Sequence, residues 1–388
     1  MTHSLNPRIY VLTFTSFVML SSEFIVAGLL PQIAASLQIT VGSAGALVTA
    51  FALGMGIGAP LIAAFTHRVS MRALLIWACL ALFFGNTLCA LTNNFPLLLA
   101  GRALGGIGVA IFWTNATVAA AALSTATTHN LAISRVLIGI SIASVVGVPL
   151  GKWVSDAWTW EHAMGLMAAL SALALVLVIG WVRPPEGDLT QAQPNLLGRL
   201  SVIWKKDIAL ALLSYLLMFA GIMTVFSFLS TLLTRHTGFA ATQVTLVLAL
   251  YGVADIIGNL LLAKRIPNPL DGMFKAVLLS LAVSVMGVSL FGASLWLVPL
   301  FVAAAGFCHA GASMMNGMDV IRRAGADAKI VNSVNVAAIN VGIMLGAMAG
   351  GLVADHIGIE YVGYLAGVFV LLAWVIRLQL KPVRGVAG

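Results

Sequence analysis

Residues Phe17–Pro31, FVMLSSEFIVAGLLP, form an apolar stretch that is broken only by two serines and one carboxylate, Glu23. The apolar run that contains it begins near residue 9 and is long enough to cross the ~30 Å hydrocarbon core of a bilayer as a helix. An ionised carboxylate is strongly disfavoured out of water, and acids inside membrane spans are by default candidate functional sites. The stretch therefore predicts a membrane helix with a proton-binding residue at Glu23. The alternatives are a structural carboxylate bonded to Ser21 or Ser22, or a side chain that faces lipid.

Composition extends this prediction to the whole chain. The 388 residues are 61% hydrophobic and only 8% charged, and the mean hydropathy is +1.06. Soluble domains contain about 25% charged residues, so a water-soluble protein is excluded. A transmembrane β-barrel is excluded as well, because the apolar runs are continuous and much longer than barrel strands. The composition predicts an all-α membrane protein.

Twelve apolar segments follow one another along the chain, separated by Gly, Pro, Asn and charged residues. The longest polar interval, 183–206, falls near the midpoint and contains Pro184 and Pro185. It predicts two six-helix bundles, 1–182 and 207–388, joined by a linker. The twelve segments lie at 9–30, 43–65, 73–92, 96–123, 131–155, 160–182, 207–233, 242–263, 273–293, 295–318, 330–354 and 359–380.

Positive residues predict the orientation of these segments. Seventeen of the 20 lysines and arginines lie at the termini or in alternate loops that share a side with them, and that side is cytoplasmic by the positive-inside rule. The net charge of +8 therefore needs no nucleic-acid partner. Both termini are expected in the cytoplasm of a multi-pass protein of the bacterial inner (plasma) membrane.

The two halves resemble each other in their glycines. Segment five ends with Gly147-Val-Pro-Leu-Gly151, and segment eleven carries Gly342, Gly346, Gly350 and Gly351. Glycines four residues apart share one helix face and allow a neighbouring helix to approach closely. Two similar halves with a cargo site between them are a recurrent plan among membrane transporters.

Three motifs carry a family resemblance that covers essentially the whole chain. They are Ser22-Glu23-Phe24 followed by Gly28-Leu29-Leu30-Pro31, the GRALGGIG stretch at 101–108, and Gly147-Val-Pro-Leu-Gly151. The chain resembles twelve-helix major facilitator superfamily transporters of the drug:proton antiporter branch, which includes arabinose, sugar, purine-nucleoside and chloramphenicol exporters. This resemblance implies export of a small organic molecule by alternating access, driven by inward proton flow.

The resemblance also implies a gating set: Arg68, Arg72, Gly147, Pro149 and Gly151. The family loop between helices two and three usually reads G-x-x-x-D-R-x-G-R-R, with an acid four residues after the first glycine. Here the stretch 63–72 reads AAFTHRVSMR, so His67 stands where the acid is expected. Because this acid is absent, the gating ion pair that it forms in the family is not implied here.

Two further charged residues are candidates for proton coupling. Arg102 is expected at the same depth as Glu23 and either pairs with its carboxylate or binds backbone carbonyls and locks the fold. Asp255 lies inside segment eight; its alternative is an ion pair with Lys264 or another cytoplasmic cation. Lys152 and Asp319 lie near segment ends and are expected at the membrane interface; the alternative for Lys152 is the mouth of the cavity.

Uncharged polar and aromatic residues inside the apolar runs are candidates for cargo binding. The alternatives are interhelical hydrogen bonds for the asparagines and packing for His309 and the aromatic rings. The candidates are Asn115, Trp113, Phe226, His309, Asn335 and Asn340.

Several kinds of chemistry are not indicated by the sequence. There is no GxxxxGK[ST] loop for a nucleotide, and no Ser/His/Asp, Cys/His or metal-ligand constellation, so neither an enzyme nor a cofactor or metal is expected. The expected partners are a small-molecule substrate, protons and membrane lipid, with the chain acting as a monomer. Proton symport or facilitative uptake remains the alternative within the same fold; an intramembrane enzyme or a receptor subunit is disfavoured.

Overall fold

Thirteen α-helices make up most of the described part of the computed structural model, which covers residues 6–65, 69–125, 128–183, 200–263 and 271–382. No β-strand occurs in these ranges. The helices are α1 Arg8–Leu37, α2 Val41–Phe65, α3 Met71–Leu91, α4 Phe95–Ala122, α5 His129–Ile142, α6 Val148–Ala157, α7 Trp160–Trp181, α8 Lys206–Arg235, α9 Ala241–Ala263, α10 Asp271–Leu290, α11 Leu297–Ala324, α12 Ala328–His356 and α13 Val362–Leu378.

Twelve membrane spans can be recognised among these described helices by length and hydropathy. Helices α5 and α6 form one span, because a π-helical segment, Ala143–Gly147, joins them without a break. The prediction of an all-helical, twelve-span protein is confirmed. The ends differ by a few residues, most visibly in α1, which continues through Pro31 to Leu37 instead of ending near residue 30. A proline inside a membrane helix is tolerated because neighbouring groups satisfy the freed carbonyl.

Polar residues between the spans set where several helices begin and end. The Ser70 side chain accepts a hydrogen bond from Ala73 N at 3.3 Å and caps α3. The Asn94 side chain accepts from Leu97 N at 3.2 Å and caps α4. These are standard N-cap interactions that satisfy free N–H groups of the first turn. Helix α1 ends at Leu37, and the following residue, Gln38, caps it with a φ of 55° in the left-handed region.

By Cα proximity the chain divides into two compact units: unit 1, residues 1–38 with 50–192, and unit 2, residues 39–49 with 193–388. The change at 192/193 lies inside the predicted linker, 183–206. Residues 184–199 of that interval are outside the described ranges. The assignment of bundles to 1–182 and 207–388 therefore stays a prediction.

Unit 1 is held together by close glycine contacts between helices. Helix α1 packs on α5, α6 and α7, and α3 packs on α4 and α7. A Cβ added at Gly54 would overlap the Ala103 carbonyl, and one added at Gly106 would overlap the Phe51 carbonyl. Helices α2 and α4 therefore touch backbone to backbone, as small residues allow in membranes.

Unit 2 repeats this pattern with its own helices. Helix α8 packs on α12 and α13, and α10 packs on α11 and α13. A Cβ at Gly258 would overlap the Phe307 carbonyl, and one at Gly306 would overlap the Tyr251 carbonyl. The α9–α11 contact is thus built like the α2–α4 contact of unit 1. The glycine row of α12 meets α8 in the same way that the α5–α6 span meets α1.

Residues 39–49 belong to unit 2 because the start of α2 is bound to the end of α12. The Thr40 hydroxyl donates to Asp355 Oδ2, and Gly42 N donates to Asp355 Oδ1 at 2.8 Å. Asp355 therefore serves as an N-terminal cap for α2 that comes from a distant part of the chain. A carboxylate is favoured at this position because the helix N-terminus carries free N–H groups and a partial positive charge.

Replacing Gly106 by alanine is expected to destabilise the protein, because the new Cβ would force the α2 backbone at Phe51 to shift. Overpacking of this kind costs about 1–3 kcal/mol and would appear as a lower unfolding temperature of the purified protein in detergent. Gly165→Ala in α7 is the matched control, because nothing lies within 4 Å of the added atom. We expect it to be neutral or stabilising by up to about 1 kcal/mol. Equal unfolding temperatures for the two variants would contradict the close α2–α4 contact.

Candidate functional site

Glu23 lies in α1 with a half-buried side chain. Its carboxylate forms no hydrogen bond or ion pair with any of the described residues. Ser22, one of the two serines considered as its partner, binds elsewhere, and Ser21 Oγ is buried without a hydrogen bond in the described chain. The alternative in which a serine binds the Glu23 carboxylate is therefore not observed among the described residues.

Arg102 of α4 is fully buried and binds the main chain of α1 at Ser22 and Glu23. Its Nη1 donates to Ser22 O at 2.7 Å, and its Nη2 donates to Glu23 O at 3.0 Å. Its guanidinium carbon lies 4.1 Å from the centroid of the Phe51 ring, a cation–π contact. Of the two sequence-based interpretations, these contacts match the one in which Arg102 binds backbone carbonyls.

The guanidinium nevertheless places positive charge at the turn of α1 that carries the Glu23 carboxylate, because it binds the Glu23 carbonyl. Because the anchor is the peptide carbonyl and not the carboxylate, it does not depend on whether Glu23 carries a proton. Arg102 can therefore stay in place while Glu23 changes its charge.

A chain of hydrogen bonds fixes the side of α1 next to Glu23. Ser22 Oγ donates to Asn86 Oδ1 at 2.8 Å, Asn86 Nδ2 donates to Ser171 Oγ at 3.3 Å, and Ser171 Oγ donates to Met167 O at 2.6 Å. All three polar side chains are buried. The turn of α1 that carries Glu23 is thus tied to α3 and α7 through its side chain and to α4 through its backbone.

Gly147 and Gly151, two of the predicted gating residues, contact α1 just before and just after Glu23 along the helix. A Cβ at Gly147 would overlap Ser21 Oγ, and one at Gly151 would overlap Ile25 Cδ1. Gly147 ends the π-helical segment, and Pro149 follows in the first turn of α6. A proline N has no hydrogen to donate to the preceding turn, which is consistent with a widened turn just before it.

A second polar group lies in unit 2, where it joins the predicted residues Asp255 and His309. His309 Nδ1 is 3.0 Å from Asp255 Oδ1 and 3.1 Å from the Tyr251 hydroxyl. Phe226, also predicted, packs on the Tyr251 ring with centroids 5.1 Å apart. The described partner of Asp255 is therefore a histidine of α11; Lys264, the cation considered from the sequence, lies outside the described residues.

The other predicted cargo residues make local contacts. Asn115 Nδ2 donates to Ile111 O at 2.8 Å, and Asn340 Nδ2 donates to Val336 O at 2.9 Å, each within its own helix. Asn335 Oδ1 accepts from Asn316 Nδ2 at 3.3 Å, an α11–α12 hydrogen bond. Trp113 is half-buried and packs edge-on against the neighbouring Phe112 ring.

Among the predicted gating arginines, Arg72 is described and Arg68 is not; Arg68 and His67 both lie outside the described residues. Arg72 Nη2 donates to Ile179 O of α7 at 2.7 Å. This bond ties the start of α3 to the end of α7 within unit 1.

Lys152 and Asp319, which were expected at the membrane interface with side chains that reach water, are both buried within the protein. Lys152 Nζ pairs with Asp156 one turn further along α6, and Asp156 also accepts from Gln32 Nε2 at 2.7 Å. Asp319 pairs with Arg323 at 2.7 Å and with Arg377, which is itself fully buried. Each charge is compensated by a partner, so neither needs to reach the headgroups.

Four residues of these two groups were not singled out from the sequence: Asn86, Ser171, Tyr251, and Phe219, whose ring meets His309 edge-on at 5.7 Å. Asn86 meets the same criterion as the asparagines that were chosen, a polar group inside an apolar run, and could have been found by it. Tyr251 and Phe219 carry no such signal, because aromatic residues in membrane helices mostly pack. No cluster of three or more His, Cys, Asp or Glu side chains suited to a metal occurs among the described residues.

Comparisons with known proteins place this geometry in a family. The family model of the Major Facilitator Superfamily matches residues 12–328 and 211–386. The chain is 28% identical over 375 residues to the inner membrane transport protein YdhP of Escherichia coli (strain K12), covering 95% of this chain and 94% of that protein. It is 26% identical over 382 residues to a probable sugar efflux transporter of Mannheimia succiniciproducens, covering 96% and 94%.

The fold matches that of a solved structure, the xylose transporter XylE from E. coli in its inward-open conformation. The TM-score is 0.78 at 15% sequence identity, and the match covers 97% of this chain and 96% of that chain. At this identity the likeness concerns the fold alone.

Replacing Arg102 by lysine is expected to destabilise the protein. A lysine keeps the charge but cannot offer two N–H groups in the fixed fork that reaches both Ser22 O and Glu23 O. Hydrogen bonds to charged groups contribute about 1.5–3 kcal/mol each, so loss of one of them should lower the unfolding temperature in detergent clearly.

The matched control is Arg8→Lys in the exposed first turn of α1, for which a change within about 0.5 kcal/mol is expected. If Arg102→Lys behaved like Arg8→Lys, the backbone anchor would not be important for stability.

Proposed function

Because the chain belongs to the Major Facilitator Superfamily, we propose that it is a proton-coupled exporter of small organic molecules in which Glu23 carries the driving proton. Membership in this transporter family makes it a multi-pass membrane transporter and not an enzyme. Three points are proposed beyond this membership: the proton as coupling ion, export as the direction of transport, and Glu23 as the residue that carries the proton. The single observation that supports it best is a mid-span Glu23 carboxylate that bonds to none of the described residues, in the turn of α1 whose backbone Arg102 binds.

The chemistry follows from the two states of the carboxylate. A neutral Glu23 is compatible with a low-dielectric site, whereas an ionised Glu23 needs compensation, and the neighbouring guanidinium provides it. Since Arg102 is held by main-chain carbonyls, both states of Glu23 can occur without loss of the α1–α4 contact. A proton taken up on one side of the membrane can then be released on the other after the protein changes its access.

The glycine contacts at Gly147 and Gly151 support a link between this proton and movement. They bring the α5–α6 span against α1 within one or two turns of Glu23. Helices in such close contact share any displacement, and the adjacent π-helical segment at 143–147 is a type of distortion often found at functional positions. We assign Gly147, Pro149 and Gly151 to this coupling, together with Arg68 and Arg72 at the predicted gate.

The cargo is proposed to be a sugar, a nucleoside or a drug-like molecule. The name of the Mannheimia relative, a probable sugar efflux transporter, favours sugars and favours export. The candidate cargo residues stay as predicted: Asn115, Trp113, Phe226, His309, Asn335 and Asn340. The alternatives to export by antiport are proton symport and facilitative uptake. The effect of the proton gradient on efflux distinguishes antiport from these two modes.

The setting of the transporter is proposed as well. The concentration of lysine and arginine in alternate loops favours cytoplasmic termini, and the E. coli relative is named as an inner membrane protein. Two six-helix bundles, 1–182 and 207–388, acting as a monomer in a bacterial inner membrane, are the proposed arrangement.

The test uses the full chain in proteoliposomes that are loaded with a radiolabelled sugar or nucleoside. Efflux is recorded with and without a proton gradient directed into the vesicles. We expect the gradient to accelerate efflux in the wild type and Glu23→Gln to abolish the acceleration, because a glutamine binds no proton, while gradient-free counterflow persists. Glu161→Gln at the start of α7 is the matched control and should behave as the wild type.

Two results would count against the proposal in different ways. Acceleration of efflux only by an outward proton gradient would indicate symport. Unchanged proton coupling in Glu23→Gln would remove Glu23 from its role but leave transport itself intact.

A further inference from the structure

Asp255, Tyr251 and His309 form a hydrogen-bonded cluster in unit 2. The proton transfer proposed at Glu23 does not involve these three side chains. His309 Nδ1 is 3.0 Å from Asp255 Oδ1 and 3.1 Å from the Tyr251 hydroxyl. The Asp255 and His309 side chains are 20% and 19% exposed, so they are largely enclosed but not sealed. Neither forms another ion pair in the described part of the chain.

The carboxylate determines which ring nitrogen of His309 carries the hydrogen. An ionised carboxylate can only accept hydrogen bonds, so Nδ1 must donate, and Nε2 of the neutral ring is then left as an acceptor. Nε2 is buried, and no described residue donates to it. A buried acceptor without a partner is energetically unfavourable. A molecule that donates a hydrogen bond to Nε2 would therefore bind with a more favourable free energy.

Aromatic rings surround the imidazole. Tyr251 stacks on it with centroids 6.2 Å apart and planes at 26°, and Phe219 meets it edge-on at 5.7 Å. Tyr215 and Phe226 extend the group through contacts at 5.0 Å with Phe219 and 5.1 Å with Tyr251. Binding sites for small molecules have this character, with aromatic walls and a few fixed polar groups.

We propose that His309 Nε2 accepts a hydrogen bond from the transported molecule, and that Asp255 is the positioning residue that holds the imidazole in the required tautomer. The cargo is then a neutral, ring-shaped molecule with hydroxyl or N–H donors, of the sugar or nucleoside type, rather than a lipophilic cation. The inference rests on the proposed transport function and narrows its cargo. Because Nε2 itself is covered, binding includes a local side-chain rearrangement of the kind common at interfaces.

Asp255 acts here as a positioning residue and not as a proton carrier. Its Oδ1 atom is engaged by the imidazole and lies within the aromatic group, so it is not a free counter-ion for a cationic drug. Its contribution is indirect: the carboxylate acts on cargo through the orientation of His309.

The first experiment measures the tautomer of the His309 imidazole. The full chain is labelled with ¹⁵N-histidine and placed in lipid nanodiscs. Protonated and bare imidazole nitrogens have well-separated ¹⁵N shifts, and the His309 signals are assigned by their loss in His309→Gln. We expect a bare Nε2 and a protonated Nδ1 in the wild type and in Tyr251→Phe, and a mixture of tautomers in Asp255→Asn. A wild-type ring with its hydrogen on Nε2 would overturn the proposal.

The second experiment measures equilibrium binding of D-xylose, uridine and tetraphenylphosphonium to the same preparations. For the neutral probe that binds, we expect His309→Phe to weaken affinity by about tenfold or more and to abolish the shift of the Nε2 signal that the probe induces. Its matched control is His162→Phe, an exposed histidine of α7, which should bind as the wild type does.

Binding of tetraphenylphosphonium that is lost in Asp255→Asn, together with neutral-probe affinity unchanged in His309→Phe, would overturn the assignment. Neither measurement needs a proton gradient. A failure of Glu23→Gln to alter proton-coupled flux would therefore contradict the proposed coupling role without affecting this result, and the reverse also holds.

Discussion

A buried arginine that is bound to the backbone of another helix is the constraint on which unit 1 depends. A guanidinium in a low-dielectric interior is tolerated only when its donors are engaged, and the structure engages those of Arg102 with two consecutive carbonyls of α1 and the face of Phe51. Because both carbonyls belong to the turn of Glu23, the same interaction that stabilises the helix crossing also fixes the depth and rotation of the acid.

The two units share their packing but not their polar chemistry. In both, glycines allow one helix pair to meet backbone to backbone, α2 with α4 and α9 with α11. Unit 1 uses this frame to hold an acid beside an arginine. Unit 2 uses it to bring Asp255 and Tyr251 of α9 against His309 of α11. In the roles that we propose, one half of this repeated frame carries the proton and the other binds the cargo.

The sequence predicts the fold better than it predicts the contacts. Hydropathy alone identifies twelve spans, because a helix that crosses lipid must be long and apolar. It cannot say whether Arg102 binds the Glu23 carboxylate or its carbonyl, since both lie at the same depth. It also does not show that Lys152 and Asp319 are buried within the protein. Their partners Asp156 and Arg377 are brought to them by helix periodicity and by tertiary packing. Tyr251 joins His309 only through the fold.

The π-helical turn at Ala143–Gly147 has a consequence for the direction in which the rest of its span faces. A regular α-helix advances about 100° per residue, so one extra residue in a turn rotates everything after it by about that angle. Gly151 faces α1 only because of this offset. Deletion of a single residue here would straighten the ladder of hydrogen bonds and turn the glycine face of α6 away from Ile25, so the contact with α1 depends on the number of residues in this turn as well as on the glycines.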